Sequence, residues 1–88
     1  MIERQATIVN QEGLHARPAA RIVRLASNFT AEIELSKDGV DVNGKSIMGV
    51  MMLAAEHGSS IVICARGDDS QAAIEALKGL VSGGFGES

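Results

Sequence analysis

The stretch from Ala31 to Ser36 alternates apolar with polar residues, and this alternation constrains the fold more than any other pattern in the chain. In an extended strand the two sets point to opposite faces, Ala31, Ile33 and Leu35 to one and Glu32, Glu34 and Ser36 to the other. A strand of this kind packs one face against a core and leaves the other in water. The stretch therefore predicts a sheet that is covered on a single face.

The patterns on either side of this strand give the element order βαββαβα. They predict a strand over Arg4–Val9, a loop over residues 10–13, a helix from about Ala16 to Ser27, a β-hairpin over residues 31–43, a short helix from Ile47 to about Leu53, a strand over residues 60–66, and a last helix with an apolar stripe from Ala73 to Val81. We expect Asp68, Asp69 and Ser70 to cap the last helix, and Gly83 and Gly84 to close it. The unbroken apolar run SIVICAR predicts a central strand. Right-handed crossovers then give an α+β fold, an open-faced β-sandwich whose four-stranded antiparallel sheet carries three helices on one face.

Length and composition exclude several classes of protein. The 88 residues predict one domain, residues 1–88, and the formal net charge of −3 argues against general affinity for nucleic acid or anionic membranes. The longest apolar stretch, IMGVMMLAA, is about half of the ~20 residues that a membrane span needs, and MIERQA lacks the apolar segment of a signal peptide. Cys64 alone forms no internal disulfide, and no histidines and cysteines occur at metal-ligand spacing. We therefore expect a cytoplasmic monomer without metal or cofactor.

The sequence EGLHARPAA, residues 12–20, places a histidine at the predicted start of the first helix. Because a residue before proline avoids helical geometry, the helix should begin within a residue or two of Arg17, which leaves His15 near the first amides. These amides have no intrahelical partner and the helix dipole adds positive charge, so this end attracts an anion. Histidine in a model peptide has a pKa of about 6.5, so a neutral ring can act as a nucleophile at neutral pH. A phosphoryl group on His15 would be held by the amides and by the planar guanidinium of Arg17.

Plainer interpretations of the same residues stay open at this point. His15 would also serve as a surface capping residue of the helix. Arg17, Arg21 and Arg24 lie on one helical face with no acid between them. That face is either a patch for an acidic partner or ordinary solvated surface.

The segments GLHARPA and NGKSIMGVMMLAAEHGS resemble HPr, the histidine-containing phosphocarrier family of the bacterial phosphotransferase system, along essentially the whole chain. The resemblance implies an open-faced sandwich of four antiparallel strands and three helices. It implies that Enzyme I, charged from phosphoenolpyruvate, phosphorylates Nδ1 of His15 and that the group then passes to a IIA domain. Arg17 would clamp the phosphate, and an apolar patch beside the histidine would dock the partners: Ile47, Met48 and Met51. The chain would be a phosphoryl carrier and not an enzyme.

Two features qualify what the resemblance implies. Many family members carry Asn, Ser or Thr near the loop position of Glu12, and a carboxylate there would repel the incoming phosphoryl group. We expect this to affect the rate of transfer and not its existence. The motifs also do not separate the sugar-uptake branch of the system from the nitrogen-regulatory branch.

Residues 39–46, GVDVNGKS, match the spacing of the phosphate-binding P-loop, G-x-x-x-x-G-K-[ST]. A P-loop needs a buried strand before its first glycine and a flexible loop within, whereas ELSKD alternates and VDV is typical of a strand. The residues are better explained as a hairpin strand, a turn at Asn43-Gly44 and a helix capped by Ser46. In the family the matching serine is phosphorylated by HPr kinase/phosphorylase in many bacteria, which makes Ser46 a candidate regulatory site.

One alternative of another class is a sandwich-type binding module for nucleic acid or a small ligand. Such a module also alternates strands with helices. The acidic net charge and the scarcity of aromatic residues for base stacking, Phe29 and Phe85 alone, argue against it.

Overall fold

The computed structural model describes residues 1–86 and has the predicted order of elements. The strands are β1 (Ile2–Thr7), β2 (Glu32–Lys37), β3 (Val40–Asn43) and β4 (Ser60–Arg66), and the helices are α1 (Ala16–Ala26), α2 (Ile47–Met52) and α3 (Ser70–Ser82). A short 3-10 turn, Gly84–Gly86, follows α3. No helix within residues 1–86 is long and apolar enough to cross a membrane.

The four strands form one antiparallel sheet in the order β1-β4-β2-β3. Strand β4 is flanked on both sides, because Ile63 is opposite Arg4 of β1 and Leu35 of β2. The central position predicted from its unbroken apolar run is therefore confirmed. The hairpin between β2 and β3 turns at Asp38 and Gly39, whose φ angles of 51° and 83° are those of a two-residue type I′ turn.

The predicted bounds of the first strand, residues 4–9, were wrong by two residues. Pairing between β1 and β4 runs from Ile2 opposite Ala65 to Thr7 opposite Ser60, where β4 begins. Ile8 instead bonds to the turn that precedes β4. Its amide donates to Ser59 O at 2.8 Å, and its carbonyl accepts from Gly58 N at 2.7 Å. The partner strand thus sets the bounds of β1, and the poor alternation of its own residues could not reveal them.

One hydrophobic core joins the covered face of the sheet to all three helices. The sheet contributes alternate residues such as Ile61 and Ile63, which are fully buried, and the helices contribute their apolar stripes: Ala19, Ile22, Ala26, Val50, Ala73, Ile74, Leu77 and Val81. The core includes one aromatic residue, because Phe85 in the turn after α3 is also fully buried.

The opposite face of the sheet is open, as the alternation predicts. Cys64 lies there, since it alternates with the core residues Ile63 and Ala65, and its neighbours across the strands are Glu3 and Glu34. It is nevertheless buried and is a free thiol. The open face thus includes a small buried side chain at this position.

Asp69 does not cap α3 with its side chain, contrary to the prediction. It occupies the N-cap position, yet its carboxylate accepts hydrogen bonds from the amides of Thr30 and Ala31, each at 2.8 Å. These amides precede β2, so Asp69 ties the start of β2 to the start of α3. The amide of Thr30, with that of Ala31, lowers the pKa of the Asp69 carboxyl below its usual 3.8.

Candidate functional site

His15 is the N-cap residue of α1, so the helix begins where the proline rule predicts. Its backbone is extended, with φ −79° and ψ −173°, and its carbonyl accepts the first helical bond from Ala19 N at 3.0 Å. The side chain makes no capping hydrogen bond to the helix. The residue is half-buried, and its Nε2 atom is buried. The imidazole thus lies at the helix start without closing it.

The first turn of α1 offers few amide donors. Pro18, the third helical residue, has no N–H, and the amide of Ala19 is bonded to His15 O. Within residues 1–86, this leaves the amides of Ala16 and Arg17 for an anion at the helix start. Pro18 is buried, so its ring also packs this turn against the core.

The loop before His15 is held in a single shape by its own hydrogen bonds. Buried Asn10 donates from Nδ2 to Gly13 O at 2.8 Å and accepts from Gly13 N at 3.2 Å, and His15 N donates to Gly13 O at 3.0 Å. Gly13 has φ +70°, and a Cβ there would lie 2.5 Å from Ala55 O. Only glycine therefore fits at this point, which fixes the path of the chain into His15. The sequence prediction placed Asn10 in this loop and missed its contribution, which depends on tertiary burial.

The three predicted arginines differ in their surroundings. Arg17 is exposed and directly follows the histidine in the first turn. The guanidinium of Arg21 donates to the carbonyl oxygen of Phe85, in the turn after α3. Arg24 is in the last turn, about 10 Å along the helix axis from Arg17. At this end of the helix, a cation interacts favourably with the helix dipole. The structure therefore places Arg17 beside His15, ties Arg21 to the C-terminal turn and leaves Arg24 at the far end of α1.

Helix α2 carries exposed apolar side chains next to this region. Val50 is fully buried, whereas Met48 and Met52 are 77% and 71% exposed, and Ile47 and Met51 are exposed as well. The helix packs against α1, and the amide of Leu14 donates to Ala55 O at 2.9 Å just after α2 ends. We call Ile47, Met48, Met51 and Met52 the apolar patch. The sequence prediction named the first three of these and missed Met52.

Ser46 is the N-cap residue of α2 and caps it as predicted. Its Oγ accepts a hydrogen bond from Gly49 N at 3.1 Å, and its carbonyl accepts from Val50 N at 2.9 Å. The serine is half-buried and adjoins Ile47 of the apolar patch. A phosphate on it would therefore lie beside that patch.

The rejected P-loop interpretation of residues 39–46 has no support in the geometry. Its interior, Val40–Asn43, is strand β3 and pairs with β2, so its amides are not gathered around an anion. Lys45 donates from Nζ to Phe29 O at 2.7 Å, after the end of α1. No group of three or more His, Cys, Asp or Glu side chains within residues 1–86 is arranged to hold a metal ion.

The fold and the helix start together define a class of protein. A histidine at the N-terminus of the first helix of an open-faced sandwich, beside an arginine and an exposed apolar patch, is the arrangement that the resemblance to phosphoryl carriers implies. A family model described as "PTS HPr component phosphorylation site" matches residues 2–82. The chain belongs to the HPr family, the phosphocarriers of the phosphotransferase system.

Individual relatives agree with this assignment over the full length. The phosphocarrier protein HPr of Cupriavidus necator is 47% identical over 87 residues, 99% of this chain and 98% of the relative. A crystal structure of HPr from Thermoanaerobacter tengcongensis has a TM-score of 0.96 and 46% identity, covering 100% of this chain and 99% of that one. A second structure from that organism, described as an HPr dimer, has a TM-score of 0.79 and 47% identity, covering 99% and 100%.

Proposed function

We propose that this chain accepts a phosphoryl group from Enzyme I, charged by phosphoenolpyruvate, on Nδ1 of His15 and passes it to a IIA domain. The observation that carries the proposal is the position of His15, the N-cap residue of a helix that its side chain does not cap. The amides of Ala16 and Arg17 and the guanidinium of Arg17 are the donors next to it. These three donors suit a dianionic phosphoryl group, because two of them are backbone amides at the positive end of the helix dipole and the third carries a positive charge.

The transfer step exchanges one bond to phosphorus for another. The lone pair on Nδ1 of the neutral ring attacks the phosphorus atom, and the bond to the donor atom of Enzyme I breaks with its electron pair leaving on that donor. Burial of Nε2 supports Nδ1 as the acceptor, since a partner cannot reach a covered nitrogen. The reverse exchange with a IIA domain regenerates His15, so the chain undergoes no net reaction and acts as a substrate of its partners.

Partner docking is assigned to the apolar patch and to Arg17. Ile47, Met48 and Met51 lie exposed on α2, which packs beside α1, and large exposed apolar side chains at one place mark an interaction site. Flexible methionines suit a surface that must fit several partners in turn. Arg21 and Arg24 were predicted to dock as well. Arg24, at the far end of α1, keeps a smaller share than Arg17, and the guanidinium of Arg21 is bound to the turn after α3.

The decisive experiment mixes the protein with phosphoenolpyruvate and a bacterial Enzyme I and measures its mass. We expect one added phosphate that acid removes, as phosphohistidine requires. His15→Ala should gain none, while His57→Ala, which changes the other histidine, should gain it as wild type does. Phosphate on His15→Ala would contradict the proposal.

We further propose Ser46 as a regulatory phosphorylation site for HPr kinase/phosphorylase. Its hydroxyl lies at the start of α2, where a phosphate gains from the helix dipole, and it adjoins the apolar patch, where a charge of about −2 would weaken apolar docking. Ser46→Asp should therefore raise the KM of Enzyme I for the protein and leave kcat nearly unchanged. Ser46→Asn, a neutral capping residue, is the matched control, and an equal KM in both variants would count against the proposal.

Two further properties are proposed on general grounds. We infer that the chain works in the cytoplasm, where phosphoenolpyruvate is made. We also infer that it acts as a monomer, although a relative has been solved as a dimer. Light scattering after gel filtration tests this directly, and a mass of twice 9.2 kDa at micromolar concentration would overturn it.

A further inference from the structure

The turn after α3 has an unusual residue in a demanding position. Gly84, Phe85 and Gly86 all have left-handed backbones, with φ angles of 69°, 59° and 74°. Glycine adopts this region without cost, but a side chain with a Cβ does so rarely. A third glycine would be the cheap choice between the other two. Phe85 persists there because its ring is fully buried in the core, which anchors the turn.

The anchored turn touches the loop that leads to His15. A Cβ built on Gly84 would lie 3.4 Å from Val9 Cγ2 and 4.0 Å from Asn10 Cβ, so the backbone of this turn packs directly on those residues. Asn10 in turn holds Gly13 through bonds of 2.8 and 3.2 Å, and Gly13 O accepts the amide of His15 at 3.0 Å. Phe85 is thereby connected to the histidine through a short series of contacts.

The same turn also holds an arginine of α1. The carbonyl oxygen of Phe85 accepts a hydrogen bond from the Arg21 guanidinium, and a Cβ on Gly86 would lie 3.5 Å from the same nitrogen. Arg21 is one helical turn beyond Arg17, on the same face. The turn therefore contacts both the loop before His15 and the first half of the helix after it.

We propose that Phe85 is a positioning residue of the phosphate-accepting site. Its ring fixes the turn Gly84–Gly86, and the turn fixes the loop over residues 10–14 and the guanidinium of Arg21. Arg21 acts through this turn and not by touching the partner. The expected effect on the phosphorylation rate rests on the proposed function. The expected effect on the conformation of the loop rests on the contacts alone.

The kinetic test measures phosphorylation of the protein by Enzyme I at a temperature where all variants are folded. Phe85→Ala should lower kcat by roughly tenfold or more with little change in KM, because small misplacements of a reacting group cost up to about 10²-fold while the apolar patch is untouched. Phe85→Leu, which keeps a buried anchor, should restore most of kcat. Leu35→Ala, a core truncation in β2, is the control for lost stability and should keep the wild-type kcat. An unchanged kcat in Phe85→Ala would overturn the proposal.

A double-mutant cycle separates the two accounts of Arg21. If Arg21 acts through the turn, Arg21→Gln should lower kcat in the wild type and have no further effect in Phe85→Ala. If the two substitutions instead lower kcat by independent factors that multiply in the double variant, Arg21 contacts the partner directly and the proposal for Arg21 fails. Should Phe85→Ala not fold, Phe85→Val, a partial truncation of the buried side chain, takes its place, and Arg21→Gln should then lower kcat less in Phe85→Val than in the wild type.

A measurement without Enzyme I keeps this proposal distinct from the function. Backbone amide resonances of Val9, Asn10, Gly13 and His15 should shift in Phe85→Ala and stay in place in Leu35→Ala. If wild type accepted no phosphate, the proposed function would fall, and these resonances alone would decide whether Phe85 positions the loop. Unmoved resonances would overturn the proposal whatever the kinetics.

Discussion

Helices α1 and α2 begin in nearly the same way and differ in the third residue of the first turn. His15 and Ser46 are both extended N-cap residues, and each carbonyl accepts the first helical bond, at 3.0 and 2.9 Å. At α2 the third residue is Gly49, whose amide the serine hydroxyl binds. At α1 it is Pro18, which has no amide to bind. The start of α2 is therefore capped by the side chain of its own N-cap residue, and the start of α1 is not.

The approaches to the two helices also correspond. A glycine lies two residues before each N-cap, and in both cases a Cβ would collide with a neighbour: Gly13 with Ala55 O at 2.5 Å and Gly44 with Ile33 Cγ2 at 2.6 Å. Of the two glycines, only Gly13 has a positive φ, and only at Gly13 is the nearest atom to the added Cβ a backbone atom. The path into His15 is thus fixed more rigidly than the path into Ser46, which suits the reacting side chain that we propose at His15.

The largest effect on stability is expected from Gly13→Ala. Left-handed strain and a collision with a carbonyl that cannot move aside act together, so the free energy of unfolding should fall by at least about 2 kcal/mol in urea titrations. Gly39→Ala is the matched control, because Gly39 has φ +83° and open space around it. It should lose only the strain, about 1 kcal/mol. Equal losses would mean that contact with Ala55 does not fix the loop.

The next largest effect is expected from Ser46→Ala. The substitution removes the bond from Gly49 N to the serine hydroxyl, and loss of such a cap costs about 1 kcal/mol of unfolding free energy. Ser46→Asn keeps an acceptor at the same place and should recover most of it. If Ser46→Ala unfolded at the same urea concentration as wild type, the closed start of α2 would contribute nothing and the contrast with α1 would disappear.

The sequence predicts these helix starts better than it predicts their surroundings. Local signals were sufficient for the start of α1 near Pro18, for the cap at Ser46 and for the hairpin that turns at Asp38-Gly39. Proline, serine and Asp-Gly act on their own neighbours. Contacts between distant segments were not predictable. Asn10 against Gly13 O, and Arg21 against Phe85 O, depend on packing that no periodicity encodes.

Asp69 shows the same limit at the start of α3. Its position before the helix is typical of a capping residue, and the sequence cannot indicate that the amides of Thr30 and Ala31, nearly forty residues earlier, arrive at its carboxylate instead. Local rules thus predicted the N-cap residue and missed the function of its side chain. At His15, too, local rules predicted the N-cap position correctly, and the role of its side chain as phosphoryl acceptor stays a prediction.

A smaller effect with a definite pH dependence is expected at Asp69. The bonds from Thr30 and Ala31 lower the pKa of this carboxyl below 3.8, so its contribution to stability is present above pH 3.8 and is lost as the pH falls through the lowered value. Asp69→Asn should therefore unfold more easily than wild type at neutral pH, and the difference should vanish in strong acid. Because Asp69 is only half-buried, salt should reduce the difference. A difference that stayed constant with pH would show that the charge is irrelevant.

The smallest expected effect has the opposite sign at the two ends of α1. Arg17 places a cation at the positive end of the helix dipole, so Arg17→Gln should stabilise the fold by roughly 0.3 kcal/mol at low salt. Arg24→Gln, its matched control in the last turn, removes a favourable cation and should destabilise by a similar amount. Chemical denaturation of both variants in parallel checks the signs. Higher stability of Arg17→Gln together with slower phosphorylation by Enzyme I would mean that Arg17 destabilises the fold and is kept because it binds the phosphoryl group. A loss of stability at Arg17 would make it an ordinary structural residue and remove the main difference between the two helix starts.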